Sequence, residues 1–233
     1  MELTNEQRTA LKGKGYITMK DGLHFSCRVV ISAGKISALQ AQKITEICQS
    51  YGKGYFTITH RSNVQIPWVQ YEDLDNVAKS LEEAGLSIGG TGPRVRPAHN
   101  CKGPACRFHL YDTEAAAQQM NERFYKGYYD VKLPSKFRIQ LSGCPNNCAK
   151  TQLGCVSLQG RRPNQVAVLI GGMSGRNTIV GKEIAGLYSI PEAMDMIETA
   201  LQFYKENGLP GERFAKMVDR VGFENVEKAL LGN

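Results

Sequence analysis

The stretch Phe137-Arg138-Ile139-Gln140-Leu141-Ser142-Gly143-Cys144-Pro145-Asn146-Asn147-Cys148 decides how this chain is read. Residues 137–141 predict a strand, which delivers Ser142, Gly143 and Cys144 to its end. A second cysteine pair lies upstream in Cys101-Lys102-Gly103-Pro104-Ala105-Cys106. The two loops offer four thiolates, the number that a cubane iron–sulfur cluster or a structural zinc requires. Spacing alone does not choose between those metals. The intervening Gly103, Pro104, Pro145 and Asn146 let backbone N–H groups turn towards sulfur, as anionic clusters favour.

The 233 residues suffice for one large domain or two small ones, and an apolar fraction of 42% excludes disordered and fibrous classes. Seven cysteines is an odd number, and four of them form two tight pairs. That usage fits metal ligation in a reducing compartment better than a disulfide framework. Cys27 and Cys48 lie in apolar patterns, where a free cysteine behaves as a small buried hydrophobe. The net charge of +7 contains no block of five like charges, and local basic groups fall at 94–107 and 136–138. A polyanionic cofactor, a small anion or nucleic acid each accounts for such a surplus. The N-terminal residues are polar, and the longest apolar run, Val166 to Ile170, is far too short to span a bilayer. The expectation is a cytoplasmic protein with no membrane partner.

Outward from the cysteines, residues 16–32 alternate around the Asp21-Gly22 turn and predict a hairpin. Ser37 opens a helix to about residue 50, with Gln40 placed for a capping box. Residues 55–59 and 64–69 read as strands separated by His60-Arg61-Ser62-Asn63, and a helix over 72–84 stops at Gly85. This pattern predicts a small α+β unit, with Gly89 to Pro93 as the boundary and domains at 1–90 and 91–233. The second domain is expected to hold a helix over 113–125, strands near 155–159 and 165–170, a glycine loop at 171–175, and helices near 191–206, 211–220 and 223–231.

The motif Ser142-Gly143-Cys144-Pro145-Asn146-Asn147-Cys148, continued by Val156-Ser157-Leu158-Gln159-Gly160, resembles the signature of the siroheme and [4Fe-4S] nitrite and sulfite reductase family. Thr59-His60-Arg61-Ser62-Asn63-Val64-Gln65 is similar to that family's T-x-R-x-x-x-Q segment, Arg96 stands shortly before the first cysteine pair, and Gly171-Gly172 resembles its later glycine loop. The resemblance runs from about residue 15 to 205, in the family's order. It implies a single-repeat chain of the low-molecular-weight, assimilatory sulfite reductase type, with an α+β fold of a ferredoxin-like half-domain followed by a siroheme and iron–sulfur domain. Three positions depart from the family pattern. Four residues rather than five separate Cys101 from Cys106, Cys155 stands where an acidic residue is usual, and Ser157 replaces glycine, alanine or threonine.

By resemblance the cofactors are siroheme and a [4Fe-4S] cluster, with Cys101, Cys106, Cys144 and Cys148 as cluster ligands and Cys148 as the thiolate shared with the siroheme iron. The reaction implied is the six-electron reduction of sulfite to sulfide, with nitrite to ammonia as the alternative on the same site. Siroheme is a polycarboxylate and the substrate is an oxyanion, which explains the basic surplus without nucleic acid. Arg61 and Arg96 match positions for anion contact, Lys136 and Arg138 match positions that polarise bound oxygen and relay protons, and Gln65 is expected at a cofactor edge. An external electron donor such as a ferredoxin or flavoprotein is implied, and self-association into a homo-oligomer is left open. Two readings from other classes stand beside this one: a cluster-only redox carrier or regulator, and a zinc-stabilised nucleic-acid-binding module.

Overall fold

The computed structural model describes residues 3–232 and divides the chain into two units, 1–92 and 93–233. The first unit opens with α1 (Asn5–Lys14), capped by a reciprocal Thr4–Gln7 box and closed by Gly15 in the left-handed region. The hairpin follows as β1 (Tyr16–Thr18) and β2 (Phe25–Val30), paired antiparallel. Ser37 caps α2 (Ala38–Tyr51), and Gln40 completes its box. Only Thr57–Ile58 of the expected 55–59 strand pairs, as β3, while β4 (Val64–Val69) is full length. A short 3-10 turn leads into α3 (Leu74–Glu83), and β5 (Ser87–Ile88) ends the unit. The antiparallel sheet has the order β1-β2-β4-β3, and β5 joins β2.

Alternation explains which face is covered. Phe25, Cys27 and Val29 of β2 and Val64 and Ile66 of β4 point into a core with Ile44 and Ile47 of α2 and Val77 and Leu81 of α3. Arg28 and Gln65, directly paired across β2 and β4, fall in the opposite phase. The sheet therefore has an apolar face under two helices and a polar face that presents side chains.

The second unit is built around β6 (His99–Asn100), β7 (Ile139–Ser142), β8 (Val156–Arg162), β9 (Gln165–Ile170) and β10 (Lys182–Glu183), in the order β10-β9-β8-β7-β6. β6, β7 and β8 run parallel, whereas β9 and β10 are antiparallel additions. β7 and most of β8 are buried on both faces, as central parallel strands require. Between β6 and β7 lies α4 (Thr113–Met120), capped by Asp112 and continued by a π-helical turn over Asn121–Lys126. Ser189 and Glu192 box the start of α5 (Ile190–Asn207), followed by α6 (Phe214–Val221) and α7 (Phe223–Leu231). Phe137, Tyr204 and Phe214 pack edge-to-face or tilted, with ring centroids 5.1–6.0 Å apart, and fix the helices to the foot of β7. That clamp rigidly seats the strand whose far end carries Cys144.

Candidate functional site

Parallel pairing of β6 with β7 sets the two cysteine loops side by side. His99 pairs with Gln140 and Asn100 with Leu141, and the next residue, Cys101, donates its N–H to the Leu141 carbonyl at 3.0 Å. Cys101 and Gly143-Cys144 thus leave neighbouring strands at the same end. The Gly143 N–H donates to the Cys101 sulfur at 3.2 Å, and the Thr113 hydroxyl lies 3.8 Å from that sulfur. Cys106 closes the 3-10 turn over Gly103–Ala105, and its carbonyl lies 2.6 Å from Nδ1 of His109.

The second loop winds around Asn147, which takes the left-handed conformation that asparagine tolerates. Its Oδ1 accepts from the Ser142 hydroxyl at 3.1 Å, the Thr151 N–H at 2.8 Å and the Thr151 hydroxyl at 2.7 Å. The Ser142 hydroxyl also accepts from the Ala149 N–H at 3.1 Å. These bonds shape the segment between Cys144 and Cys148 from within. On the neighbouring strand, a Cβ at Gly160 would stand 2.4 Å from the Gly143 carbonyl oxygen, so glycine there is what lets the loop lie against β8.

Cys101, Cys106 and Cys144 are partly exposed and Cys148 is exposed, whereas Cys27, Cys48 and Cys155 are buried. Among the described residues, no three His, Cys, Asp or Glu side chains converge as a ready-made metal cage. What the fold brings together is the Cys101 sulfur and the backbone that carries Cys144. The residues fit an iron–sulfur cluster on chemistry: the donors are soft thiols, and a backbone N–H already points at one of the sulfurs.

Arg96 is only 9% exposed, and its N–H donates to the Phe137 carbonyl at 2.9 Å. The segment holding Arg96 therefore runs beside the one holding Lys136 and Arg138, so these three bases lie on adjacent backbone. Arg138 donates to the Ser174 hydroxyl of the glycine loop at 2.6 Å, and its Nε is buried without a partner. Burial, and then the nearby Arg213, lower the pKa of Arg138. Cys155 sits between them: burial pushes its thiol up, while Arg138 and a hydrogen bond from Arg213 pull it down. The family's usual acidic residue at this place would face two guanidiniums; here a neutral thiol does.

In the first unit, Arg61 is held on the turn between β3 and β4. The Thr59 N–H donates to the Asn63 carbonyl at 2.7 Å, and buried Asn63 accepts from the Ile31 N–H at 3.0 Å. Gln65 pairs with Arg28 on one side and Thr57 on the other. Arg28 escaped the sequence reading. Its guanidinium has a buried Nε without a partner, and desolvation lowers its pKa. A half-buried cation placed beside Gln65 suits an anionic ligand. The only sequence signal for it was an arginine within an apolar strand. Thr113 and Arg213 were likewise missed, because each acts on a cysteine distant in the chain, and Asn147 was read only as part of the cysteine motif, not as the residue that shapes its loop.

The fold and the cysteine loops define a two-part α+β protein with a thiolate site at the end of a parallel strand pair. Residues 17–84 match the Nitrite/Sulfite reductase ferredoxin-like half domain, and residues 91–232 match the Nitrite and sulphite reductase 4Fe-4S domain. The chain belongs to the nitrite and sulfite reductase family, and its fold class is the one the resemblance implied. It is 27% identical over 221 residues to "Sulfite reductase, assimilatory-type" of Nitratidesulfovibrio vulgaris, covering 94% of this chain and 98% of that one. It is 26% identical over 216 residues to "Nitrite reductase [NAD(P)H]" of Bacillus subtilis, covering 91% of this chain but 25% of that protein. The solved structure of the Mycobacterium tuberculosis NirA protein superposes with a TM-score of 0.84 at 16% identity, covering 99% of this chain and 48% of that one. The first two of these are oxidoreductases that act on sulfite or nitrite by name. No helix among the described residues is long and apolar enough to cross a membrane.

Proposed function

We propose that this chain is a siroheme-dependent sulfite reductase in which Cys101, Cys106, Cys144 and Cys148 would hold a [4Fe-4S] cluster. The observation that carries the reading is the pair of cysteine loops leaving β6 and β7 together, with the Gly143 N–H on the Cys101 sulfur. When bound, the coupled cofactors supply the electron storage that a six-electron reduction demands.

The chain's own residues supply binding and protons. Arg61 and Arg28 in the first unit, and Arg96 in the second, each carry permanent positive charge and the bidentate donors that oxyanions and carboxylates need, and Gln65 provides an uncharged donor beside Arg28. Lys136 can both attract an oxygen and give up a proton to it. Arg138 polarises without deprotonating, because a guanidinium keeps its charge at any working pH. Its hydrogen bond to Ser174 fixes where that charge stands. An external ferredoxin or flavoprotein delivers the electrons.

Nitrite is the second substrate to test, because the Bacillus subtilis relative, a nitrite reductase by name, is nearly as identical over the aligned residues, although this chain covers only 25% of it. The experiment is the absorption spectrum of anaerobically purified protein from a siroheme-making host, with iron, sulfide and tetrapyrrole content. Spectra are taken before and after sulfite, then nitrite, under reducing conditions. Siroheme bands that shift with sulfite at lower concentration than with nitrite support the proposal. A cluster without tetrapyrrole favours the redox carrier instead, and a colourless zinc protein overturns the reductase reading.

A further inference from the structure

We propose that Thr113 is a positioning residue for the cluster: its hydroxyl donates a hydrogen bond to the Cys101 sulfur and raises the cluster's reduction potential. This rests on the reading of Cys101 as a cluster ligand. Thr113 is completely buried at the first position of α4, directly after the Asp112 cap. Its Oγ1 lies 3.8 Å from the Cys101 sulfur, within reach of a hydrogen bond to sulfur, and also donates to the Cys101 carbonyl at 3.4 Å, so the carbonyl and the sulfur are alternative acceptors of one hydroxyl proton.

Ligation fixes the direction of that bond. In the free protein either the thiol or the hydroxyl can donate. A metal-bound thiolate has no proton, so the one remaining proton of the pair is on Thr113, and the charged sulfur draws it more strongly than the neutral Cys101 carbonyl that also accepts from this hydroxyl. The Gly143 N–H already occupies a second acceptor direction on the same sulfur at 3.2 Å. Two donors therefore converge on Cys101 from two separate elements, the start of α4 and the end of β7.

Gly103 packs directly against this placement. A Cβ on Gly103 would come within 3.2 Å of the Thr113 hydroxyl oxygen. One on Gly143 would meet Thr113 Cγ2 at 3.4 Å and the Cys101 sulfur at 3.6 Å. The contacts at Gly143 are ordinary packing distances, whereas Gly103 is tight and holds a positive φ of 62°, so glycine at 103 is what leaves room for the Thr113 hydroxyl. A reduced cluster carries one more negative charge than an oxidised one, so a donor to sulfur stabilises the reduced form more. The result is a higher potential and easier acceptance of an electron.

The test compares the cluster-loaded full chain with Thr113→Val, which matches threonine in shape, and Thr113→Ser, which keeps the hydroxyl. Iron and sulfide content are measured first, and then the fraction reduced as a function of potential by electron paramagnetic resonance. If the hydrogen bond is stronger to the reduced cluster by up to its whole net value of about 0.5–1.5 kcal/mol, the oxidised-to-reduced ratio changes by at most about twofold to tenfold. A tenfold change is about 59 mV for one electron. Thr113→Val is expected to shift the cluster downward within that range and Thr113→Ser to restore it. An unchanged potential in Thr113→Val overturns the proposal while leaving the cluster assignment intact. A wild-type chain that takes up no iron and sulfide overturns both. Should valine crowd Gly103 and prevent folding, Thr113→Ala makes the same comparison, with the same shift expected and the same null result refuting it.

Discussion

Replacing Gly160 with alanine tests how the second cysteine loop is seated. The new Cβ would lie 2.4 Å from the Gly143 carbonyl oxygen, 2.8 Å from its carbonyl carbon and 3.3 Å from the Cys144 nitrogen. Ordinary contact begins near 3.4 Å, so the Gly143-Cys144 backbone must retreat by about 1 Å. That carbonyl accepts the Leu110 N–H at 2.8 Å, and the same residue's N–H holds the Cys101 sulfur. Overpacking costs about 1–3 kcal/mol and a weakened hydrogen bond about 0.5–1.5 kcal/mol, giving a loss of roughly 2–4 kcal/mol. Denaturant unfolding measures the loss, amide exchange at Leu110 reports the broken bond, and iron and sulfide content reports displacement of Cys144. The control is Gly13→Ala in α1, where a Cβ meets nothing within 4 Å and the change is expected to be neutral or slightly stabilising. If Gly160→Ala behaves like Gly13→Ala in all three assays, the loop is not seated on β8 as described.

Four further outcomes are expected. In the folded, metal-free chain at pH 8, an alkylating reagent should modify Cys101, Cys106, Cys144 and Cys148 quickly. Cys27, Cys48 and Cys155 should wait for denaturant, because burial pushes the first two up to about 12 and about 11 and also raises the third; rapid labelling of all seven is the contrary result. Cys155→Asp should raise the melting temperature at pH 7 by placing a carboxylate between Arg138 and Arg213, with the gain lost as pH falls below about 4. A lower melting temperature at pH 7 would show that burial outweighs both guanidiniums. Arg28→Ala should leave folding intact and raise the apparent KM for sulfite roughly tenfold or more, the value of a hydrogen bond to a charged group, or else lower siroheme occupancy; no change in either removes Arg28 from the anion site. The Asp21 carboxyl is held at about 2, against an ordinary 3.8, first by the His24 side chain and then by the His24 and Leu23 N–H groups. This depressed pKa stabilises the fold above about 3.8 and ceases to do so as pH falls through about 2, so Asp21→Asn should flatten that part of the acid-unfolding curve; superimposable curves count against it.

Much of the first unit was legible because its signals are local. Ser37 and Gln40 form the expected box, and the Asp21-Gly22 turn joins the expected strands. The α1 helix was overlooked although Thr4 and Gln7 carry the same box, because few apolar residues follow to mark a periodic face. The expected strand over 55–59 shrank to Thr57–Ile58 because it lies at the sheet edge, where only residues facing β4 pair. The short strands β5, β6 and β10 were invisible, since two residues carry no period and acquire strand character only from their partners.

The sequence by itself determined the family, the four paired thiols and the approximate places of strands and helices, because cysteine spacing, caps and apolar alternation act over a few residues. Only the tertiary structure decided which groups those thiols meet. Gly143 lies 42 residues from Cys101 along the chain, yet parallel pairing of β6 with β7 sets its N–H on that sulfur. Arg213 reaches Cys155 only because α6 folds back beside the foot of β7. Thr113 looked ordinary until its neighbours were known, and Gly160, although it ends the signature, gave no sign of what its missing Cβ makes room for. Backbone crossing distance and a buried hydroxyl's acceptor are properties of packing, and no local pattern encodes them.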